Sequence, residues 1–272
     1  MKKEIIEIDQ AKGVYRITTT DERWYTQTKK NEETGLPFLE SIPSITWICS
    51  FYPKGTAFYK WLAGKGWDEA EALKSEAGDK GSKVHKAVEM LMAGNEIKME
   101  DKYFNNSSEE QEDLGVDEYK AVCSFKNWYD KERPEFILSE STVFSNEYKF
   151  AGTVDAVVKI GDITWIIDFK TSQYIWPSME IQISAYKQAL KEMGRNVSKV
   201  KLAILQLGYK KNKAGYKFTE IEDQFDLFLA ARKIWEKEAS TQSPKQIELP
   251  LSLKLDIPKK VEGKAKKVIT KK

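Results

Sequence analysis

The fold is decided by residues 152–170, which read Gly-Thr-Val-Asp-Ala-Val-Val-Lys-Ile-Gly-Asp-Ile-Thr-Trp-Ile-Ile-Asp-Phe-Lys. Two apolar, β-branched runs flank a polar turn at 159–162, and this pattern predicts two strands joined as a hairpin. Side chains alternate between the two faces of a strand, so Asp168 and Lys170 share one face of the second strand with Ile166. The opposite face of that strand is apolar and consists of Ile163, Trp165, Ile167 and Phe169.

The first of the two strands carries a single acid, Asp155, in an apolar run. Alternation predicts that Val154, Ala156 and Val158 share one face and that Asp155 lies on the other. An isolated charge in such a strand needs a reason. The simplest interpretation is a hairpin whose charged side chains face solvent and pair with each other.

Carboxylates on neighbouring strands allow a second interpretation. Asp155 and Asp168 can share a hard divalent cation, because such cations prefer oxygen ligands. Lys170 is predicted on the same face as Asp168 and would reach the same phosphate group. This layout is typical of metal-dependent phosphodiesterases.

The surrounding sequence favours the metal-site interpretation. A predicted helix at Ser178–Gly194 carries Gln182 and Tyr186 one turn apart, and hence on one face. Upstream, residues 81–85 open another predicted helix, and His85 is the only histidine of the chain. A solitary histidine is more often structural, but neutral imidazole is a common metal ligand. His85 is therefore a candidate ligand.

Five motifs occur in order along the chain, namely Gly81-Ser-Lys-Val-His85, Glu140, Gly152-Thr-Val-Asp155, Asp168-Phe-Lys170-Thr-Ser and Gln182-x-x-x-Tyr186. Together they resemble the RecB-type branch of the PD-(D/E)XK nuclease superfamily. Their order and spacing are similar to those of the group that includes mitochondrial genome maintenance exonucleases and their phage and bacterial relatives. The segments 42–48 and 58–61 also resemble this group's amino-terminal Pro-Ser-Val-Thr segment and its Leu/Phe-x-x-Trp helix. The resemblance runs from about Ser41 to about Ala189.

Runs of predicted strands with helices on both sides indicate an α/β (α+β) fold, in agreement with the resemblance. It consists of a three-layer, restriction-endonuclease-like core with a central mixed sheet flanked by helices, and a helical amino-terminal cap. The implied organisation is an amino-terminal strand or hairpin segment at 1–40 and a nuclease domain at 41–245. That domain divides into a helical cap at 41–132 and a catalytic core at 133–245. A basic tail, expected to be disordered, follows at 246–272.

The resemblance also implies roles for individual residues. The implied ligands of Mg²⁺ or Mn²⁺ are His85, Asp155, Asp168 and the main-chain carbonyl of Phe169, with Glu140 as a further candidate. Lys170 would position or activate the attacking water. Gln182 and Tyr186 would orient Lys170 and the phosphate. The implied DNA contacts are Ser82, Lys83, Thr171 and Ser172.

The implied function is a metal-dependent DNA exonuclease that hydrolyses phosphodiester bonds in replication, recombination or repair. Its expected substrate is single-stranded DNA with a free end, and a replication or recombination protein is a candidate partner. Three alternatives stay open: a double-strand-specific phage recombination exonuclease, a catalytically idle DNA-binding module and a type II-like restriction enzyme. Idle relatives usually lose the lysine or one acid, so the intact set Asp155, Asp168 and Lys170 disfavours the idle module. No sequence-reading element of a restriction enzyme can be identified.

Composition bounds the remaining possibilities. The 272 residues, 41% of them apolar, can bury one good core in one or at most two domains. No run of about eighteen apolar residues occurs, so no membrane association is expected. The first residues mix acids with lysines, so we expect a cytoplasmic protein, by resemblance in a bacterial or phage-infected cell. Cys49 and Cys123 are too few for a four-thiolate iron–sulfur cluster.

The carboxy-terminal tail concentrates positive charge. From Lys254 to Lys272 there are eight lysines against two acids, whereas the whole chain has a net charge of only +2. Such a run is usually a solvated segment without a partner. A DNA-binding arm is the alternative, since lysines neutralise phosphates without reading sequence.

Hydrophobic periodicity predicts the remaining elements. The predicted helices around the site include separate ones at Trp67–Ala77 and Lys80–Ala93, followed by a polar loop at Asn95–Gln111 and a helix at Gly115–Glu132. The predicted sheet consists of Phe136–Phe144, Tyr148–Ile160, Ile163–Lys170, Val200–Leu207 and Gly215–Glu220. A final amphipathic helix is predicted at Glu222–Ala239.

Overall fold

The computed structural model describes residues 4–9, 13–18, 23–33, 35–105, 107–239 and 241. The basic tail predicted at 246–272 lies outside the described residues. Within them, no helix combines the length and the apolar character that a membrane crossing requires.

The amino-terminal segment forms a four-stranded antiparallel sheet with its strands in chain order. The strands are β1 (Glu4–Asp9), β2 (Val14–Thr18), β3 (Arg23–Lys30) and β4 (Pro37–Ile42). Val14, Tyr25 and Ile42 form a small apolar cluster with Phe144 and Ala151 from later strands. The segment predicted as a strand or hairpin is therefore a complete sheet that packs on the rest of the molecule.

Helices dominate the next part of the chain, where α1 (Ile45–Ser50), α2 (Thr56–Lys65), α3 (Trp67–Met92) and α4 (Val116–Glu132) follow one another. Between α3 and α4 lie two short paired strands, β5 (Lys102–Phe104) and β6 (Gln111–Asp113). The first helix begins after Ser44, whose hydroxyl accepts a hydrogen bond from the main-chain nitrogen of Trp47 at 3.0 Å. Such a cap satisfies a donor that the first helical turn leaves free.

The prediction of two separate helices at Trp67–Ala77 and Lys80–Ala93 was wrong, since α3 is continuous. Glycine in a helix interior costs about 1 kcal/mol relative to alanine and does not by itself end the helix. Gly78 lies in open space, and the turns beyond it bury Val84, Ala87 and Val88 against the sheet. The prediction of a polar loop at Asn95–Gln111 was also incomplete. This segment contains β5, and its last residue, Gln111, is the first residue of β6.

The second half of the chain builds the central sheet. Its elements are β7 (Glu135–Ser145), β8 (Phe150–Ile160), β9 (Ile163–Lys170), α5 (Pro177–Glu192), β10 (Lys201–Leu207), β11 (Tyr216–Ile221) and α6 (Phe225–Ala239). The strand order is β11-β10-β9-β8-β7. The β9–β10 pair is parallel and the other pairs are antiparallel, so the sheet is mixed.

Helices cover both faces of this sheet. On one face, α1, α5 and α6 pack through a core that includes Ile45, Ile181 and Phe228. On the other face, α3 and α4 pack through a core that includes Val84 and Trp128. The predicted three-layer α/β fold with a central mixed sheet is confirmed. The boundary between a cap at 41–132 and a core at 133–245 stays a prediction, and α1, α3 and α4 all belong to the layers that cover the sheet.

The strand that carries Asp155 is irregular at that residue. Val154 lies in the core on the α5 side of the sheet, whereas Ala156 and Val158 lie in the core on the α3 side. The prediction that these three residues share a face was therefore wrong. The physical reason is local. The β8–β9 ladder stops at the Ala156–Ile167 pair, and the opposing Glu140 of β7 has a left-handed backbone with φ of 43°.

We expect Gly152→Ala to destabilise the fold, because β8 approaches two side chains very closely at this point. A Cβ atom there would lie 2.7 Å from Cδ1 of the fully buried Ile45 and 3.0 Å from Cε1 of Tyr186. Overpacking of this kind costs about 1–3 kcal/mol of the free energy of unfolding, which urea denaturation would measure. The control is Gly64→Ala, where a Cβ in α2 meets nothing within 4 Å. Equal urea midpoints for Gly152→Ala and the unmodified protein would contradict this packing.

Candidate active site

Three potential metal ligands converge from three elements of the fold. His85 comes from α3, Glu140 from β7 and Asp155 from β8, and one ligand atom of each lies within 4.8 Å of the others. Nδ1 of His85 lies 3.5 Å from Oδ1 of Asp155. An imidazole with two carboxylates is a donor set that suits a divalent cation.

Asp155 is held in place by the interrupted ladder between β8 and β9. Its Oδ2 accepts a hydrogen bond from the main-chain nitrogen of Phe169 at 2.6 Å. The carboxylate thereby satisfies a strand donor just beyond the last β8–β9 pair. Its other oxygen is the one that faces His85. One side chain therefore ends the ladder and offers an oxygen to the cluster.

Glu140 has the features of a ligand without its cation. Its left-handed backbone is uncommon for a residue other than glycine and is a form of strain often found at functional sites. Its Oε1 is buried without a hydrogen-bond partner. Burial and the nearby charge of Asp155 raise the pKa of Glu140 to about 7. A cation bound between these carboxylates would satisfy the orphaned oxygen and relieve their repulsion, so the residues fit a metal.

His85 and Asp155 compensate each other electrostatically. Burial alone would lower the pKa of His85, but the carboxylate of Asp155 outweighs it and holds that pKa above its usual value. Burial opposes ionisation of Asp155 too, and His85 and Lys170 nevertheless hold the pKa of that carboxyl below its usual value. Ligands must be deprotonated to bind a metal, so a cation that binds His85 would compete with protonation of the imidazole.

A second group of side chains surrounds the Asp-x-Lys triplet. Nζ of Lys170 lies 2.6 Å from Oδ2 of Asp168, as expected for residues on one face of a strand. From α5, Nε2 of Gln182 donates to Oδ1 of Asp168 at 3.3 Å and to the hydroxyl of Tyr186 at 2.6 Å. Gln182 therefore contacts Asp168 directly, and Tyr186 contacts Gln182; the predicted role of both in orienting Lys170 and the phosphate stays a prediction.

Lys170 carries a positive charge in this arrangement. Burial would lower its pKa, but Asp168 and Asp155 raise it above the ordinary value. Burial raises the pKa of Asp168 to about 6 even though Lys170 opposes that change. At neutral pH the pair therefore consists of an ammonium and a carboxylate. The lysine can donate hydrogen bonds and neutralise negative charge, but it has no free electron pair with which to remove a proton.

The structure brings together only some of the predicted metal ligands. Glu140 joins His85 and Asp155 in the cluster. Asp168 is engaged by Lys170 and Gln182, and its role as a ligand stays a prediction. The same holds for the main-chain carbonyl of Phe169, whose neighbouring main-chain nitrogen binds Asp155.

The predicted DNA contacts lie in different surroundings. Ser82 is exposed on α3, and Thr171 lies close to Gly81, where an added Cβ would be 3.6 Å from its Oγ1. The hydroxyl of Ser172 donates to the main-chain oxygen of Tyr174 at 2.7 Å.

The surroundings of Lys83 do not favour the predicted DNA contact. Its side chain is only 7% exposed, and its ammonium lies 3.1 Å from Glu118 and 3.2 Å from Glu112. A phosphate would have to displace both carboxylates to reach it. Lys83 instead ties α3 to α4 and to β6.

One neighbour of the site was absent from the sequence prediction. Nη1 of Arg16, on β2, donates to the hydroxyl of Thr153 at 3.1 Å, and the two residues are 137 positions apart in the chain. The hydroxyls of Tyr25 and Thr153 are 3.0 Å apart. The charge of Arg16 acts to lower the pKa of Glu140, so the guanidinium contributes to the field of the cluster. Only long-range contacts reveal this residue.

Replacing His85 with alanine should weaken metal binding with little loss of stability. The imidazole is 28% exposed, so its removal leaves a small cavity at most. Loss of a residue that merely supports a ligand weakens metal affinity 10–100-fold, so loss of a direct ligand should weaken Mn²⁺ binding by about tenfold or more. Calorimetric titration with Mn²⁺ and thermal unfolding would measure the two effects. Lys86→Ala, an exposed residue next on α3, is the control. A large fall in Tm with unchanged Mn²⁺ affinity would make His85 a structural residue.

Comparison with known proteins agrees with this site. A family model described as the PD-(D/E)XK nuclease superfamily matches residues 56–248. The matched region contains α2 to α6, the whole central sheet and all the residues of both side-chain groups. No curated protein matches the chain significantly. Because the match covers well over half of the chain and the fold has the expected three layers, the chain belongs to the PD-(D/E)XK nuclease superfamily.

Proposed function

We propose that this nuclease is a metal-dependent DNA exonuclease of the RecB-type branch that acts on single-stranded DNA with a free end. The observation that carries the proposal is the convergence of His85, Glu140 and Asp155 beside the pair of Asp168 and Lys170. The motif order, from the helical histidine to Gln182 and Tyr186, supports the assignment to the branch. A role in replication, recombination or repair follows, with a protein of those processes as the candidate partner.

The metal site would hold Mg²⁺ or Mn²⁺. His85, Glu140 and Asp155 are the proposed ligands, and Asp168 is a further candidate. A cation at this place would lower the pKa of the attacking water and polarise the scissile phosphate.

The protein groups would act through charge and position. Lys170, as an ammonium, would donate hydrogen bonds to a phosphate oxygen and to the attacking water, and would offset the charge that develops in the transition state. Asp168 fixes the place of that ammonium at 2.6 Å. Gln182 in turn fixes the carboxylate of Asp168, with Tyr186 accepting the second hydrogen bond from the same amide nitrogen. This chain of contacts preorganises the lysine before the substrate arrives.

The expectation of a free-end substrate rests on α2 and the first residue of α3. None of the residues of α2 is buried, and the large rings of Tyr59, Trp61 and Trp67 are 57%, 40% and 68% exposed. Exposed rings of this kind can contact unpaired bases. We propose that the bound strand passes this exposed segment and is threaded through it from a free end.

We therefore expect a linear single strand to be degraded and a circular strand of the same sequence to persist. Both would be incubated with the protein and Mg²⁺ or Mn²⁺, with EDTA as the control, and followed by gel electrophoresis. Rapid cutting of the circle would show an endonuclease. Degradation of linear duplex in preference to linear single strand would favour the double-strand-specific alternative. Survival of every DNA with either metal would indicate an idle DNA-binding module.

A further inference from the structure

Two large aromatic side chains project from the segment that follows the site. Tyr174 and Trp176 lie between the end of β9 and the start of α5, and they are 63% and 49% exposed. Their ring centroids are 6.2 Å apart, with 47° between the ring planes. Single exposed apolar residues are common on protein surfaces, but a neighbouring pair of large rings is a feature of binding surfaces.

Hydrogen bonds fix this segment to the adjacent loop. The hydroxyl of Ser172 donates to the main-chain oxygen of Tyr174 at 2.7 Å, and Nε2 of the buried Gln206 donates to the main-chain oxygen of Ser172 at 2.9 Å. The side chain of Gln173 donates to the oxygen of Gly208 and accepts from the main-chain nitrogen of Lys210, both at 2.9 Å. The rings are therefore presented by an ordered segment.

The adjacent loop adds positive charge to the same surface. Residues 208–215 read Gly-Tyr-Lys-Lys-Asn-Lys-Ala-Gly. Nζ of Lys211 lies 5.5 Å from the centroid of the Tyr174 ring, within the range of a cation–π contact. Lys213 is exposed in the same loop. We call Tyr174, Trp176 and Lys211 the aromatic platform.

The aromatic platform begins only four residues after the proposed catalytic lysine in the chain. Tyr174 is four residues from Lys170, and an extended chain spans at most about 3.6 Å per residue. Their Cα atoms are therefore no more than about 14 Å apart. A strand whose scissile phosphate is at Lys170 would bring a nearby nucleotide over the platform.

We propose that the aromatic platform binds the unpaired bases of the DNA strand next to the bond that is cut. Tyr174 and Trp176 would stack on bases, and Lys211 would neutralise an adjacent phosphate. Bases in a duplex are already stacked on one another, so the platform would prefer a single strand. This inference rests on the proposed function, because it takes DNA as the substrate and gives the structural source of the single-strand preference.

The test compares the full-length protein with Tyr174→Ala and Trp176→Ala, singly and together. Binding of a fluorescent oligothymidine and of a duplex hairpin would be measured by anisotropy in EDTA, where cleavage stops. Stacking on one base is worth about 1–3 kcal/mol, so each alanine should weaken single-strand binding about fivefold or more. Tyr174→Phe and Trp176→Phe keep a ring and should bind nearly as the unmodified protein does. Ile163→Ala, an exposed apolar residue at the other end of β9, is the matched control.

Further readouts separate this role from a structural one. With metal present, the double alanine variant should show a raised KM for linear single strands, a nearly unchanged kcat and an unchanged Tm. Lys211→Gln should reduce the slope of log affinity against log salt by about 0.7, the value for one phosphate contact on a single strand.

The possible results are distinguishable. If the unmodified protein degrades linear single strands and the double alanine variant binds them equally well, the platform inference is wrong and the proposed function stands. If the alanine variants lose duplex binding as strongly as single-strand binding, the surface does not select unpaired bases and the inference is again wrong. If the unmodified protein neither binds nor cuts DNA, the proposed function fails and the inference fails with it.

Discussion

Replacing Lys170 with alanine should abolish DNA cleavage while the protein stays folded and still binds DNA. The side chain of Lys170 is 18% exposed, and its ammonium lies 2.6 Å from Asp168. It does not fill a core position and would contribute charge at the proposed reacting phosphate. Removal of a preorganised charged donor reduces the rate by about 10²–10³-fold. The buried Asp168 would lose its charged partner and keep the hydrogen bond from Gln182. However, its pKa is already raised to about 6, so taking up a proton limits the loss of stability.

The measurement is a single-turnover rate on a labelled linear strand, with thermal unfolding and anisotropy binding alongside. Lys159→Ala is the control, since Lys159 is an exposed lysine near the opposite end of β8. Asp168→Asn should have a similar effect on the rate, because asparagine can still accept from Gln182 but no longer attracts the ammonium. A Lys170→Ala variant that cuts at nearly the unmodified rate would exclude this lysine from the reaction.

Replacing Asp155 with asparagine should remove metal binding itself. The amide oxygen of asparagine can still accept the hydrogen bond from the main-chain nitrogen of Phe169, which Asp155 accepts at 2.6 Å. The amide nitrogen would then face His85, where the unmodified protein has a carboxylate oxygen. This substitution keeps the end of the ladder and deletes a charged ligand. We expect Mn²⁺ affinity to fall by more than about a hundredfold, beyond the effect of losing a supporting residue.

Calorimetric titration distinguishes this variant from Lys170→Ala, which should bind Mn²⁺ normally and fail only in cleavage. Asp162→Asn is the control, because Asp162 is an exposed acid in the turn between the same two strands. Cleavage by Asp155→Asn should not recover when more metal is added within the soluble range. Unchanged Mn²⁺ affinity would show that the cation binds elsewhere. The role of Asp155 would then be limited to its hydrogen bond with the main-chain nitrogen of Phe169.

Local periodicity was sufficient for one half of the site. Asp168 and Lys170 share a face because they are two residues apart on a strand, and Gln182 and Tyr186 share a face because they are four apart on a helix. The three-layer fold followed from the order of the predicted strands and helices. These features depend on short-range regularities that the sequence displays directly.

The other half of the site depends on departures from regularity. Glu140 joins the cluster at a point where β7 adopts a left-handed backbone. On the paired strand β8, the side chains before and after Asp155 do not follow regular alternation, so Val154 and Ala156 lie on opposite faces of the sheet. The alternation rule assumes an uninterrupted strand, so it could predict neither the position of Glu140 nor the change of face in β8. Arg16 reaches the site across 137 positions of the chain, a contact that no local pattern encodes.

The packing of α1 also sets the limits of a usable protein fragment. This helix lies before residue 56, where the match to the nuclease superfamily begins, yet Ile45 and Ile48 are fully buried in the core beneath the sheet. A fragment cut at residue 56 would leave a hole beside Gly152, where Ile45 approaches the backbone of β8. The cooperative folding unit is therefore larger than the region shared with the superfamily. Expression of the enzyme in shortened form has to start upstream of α1.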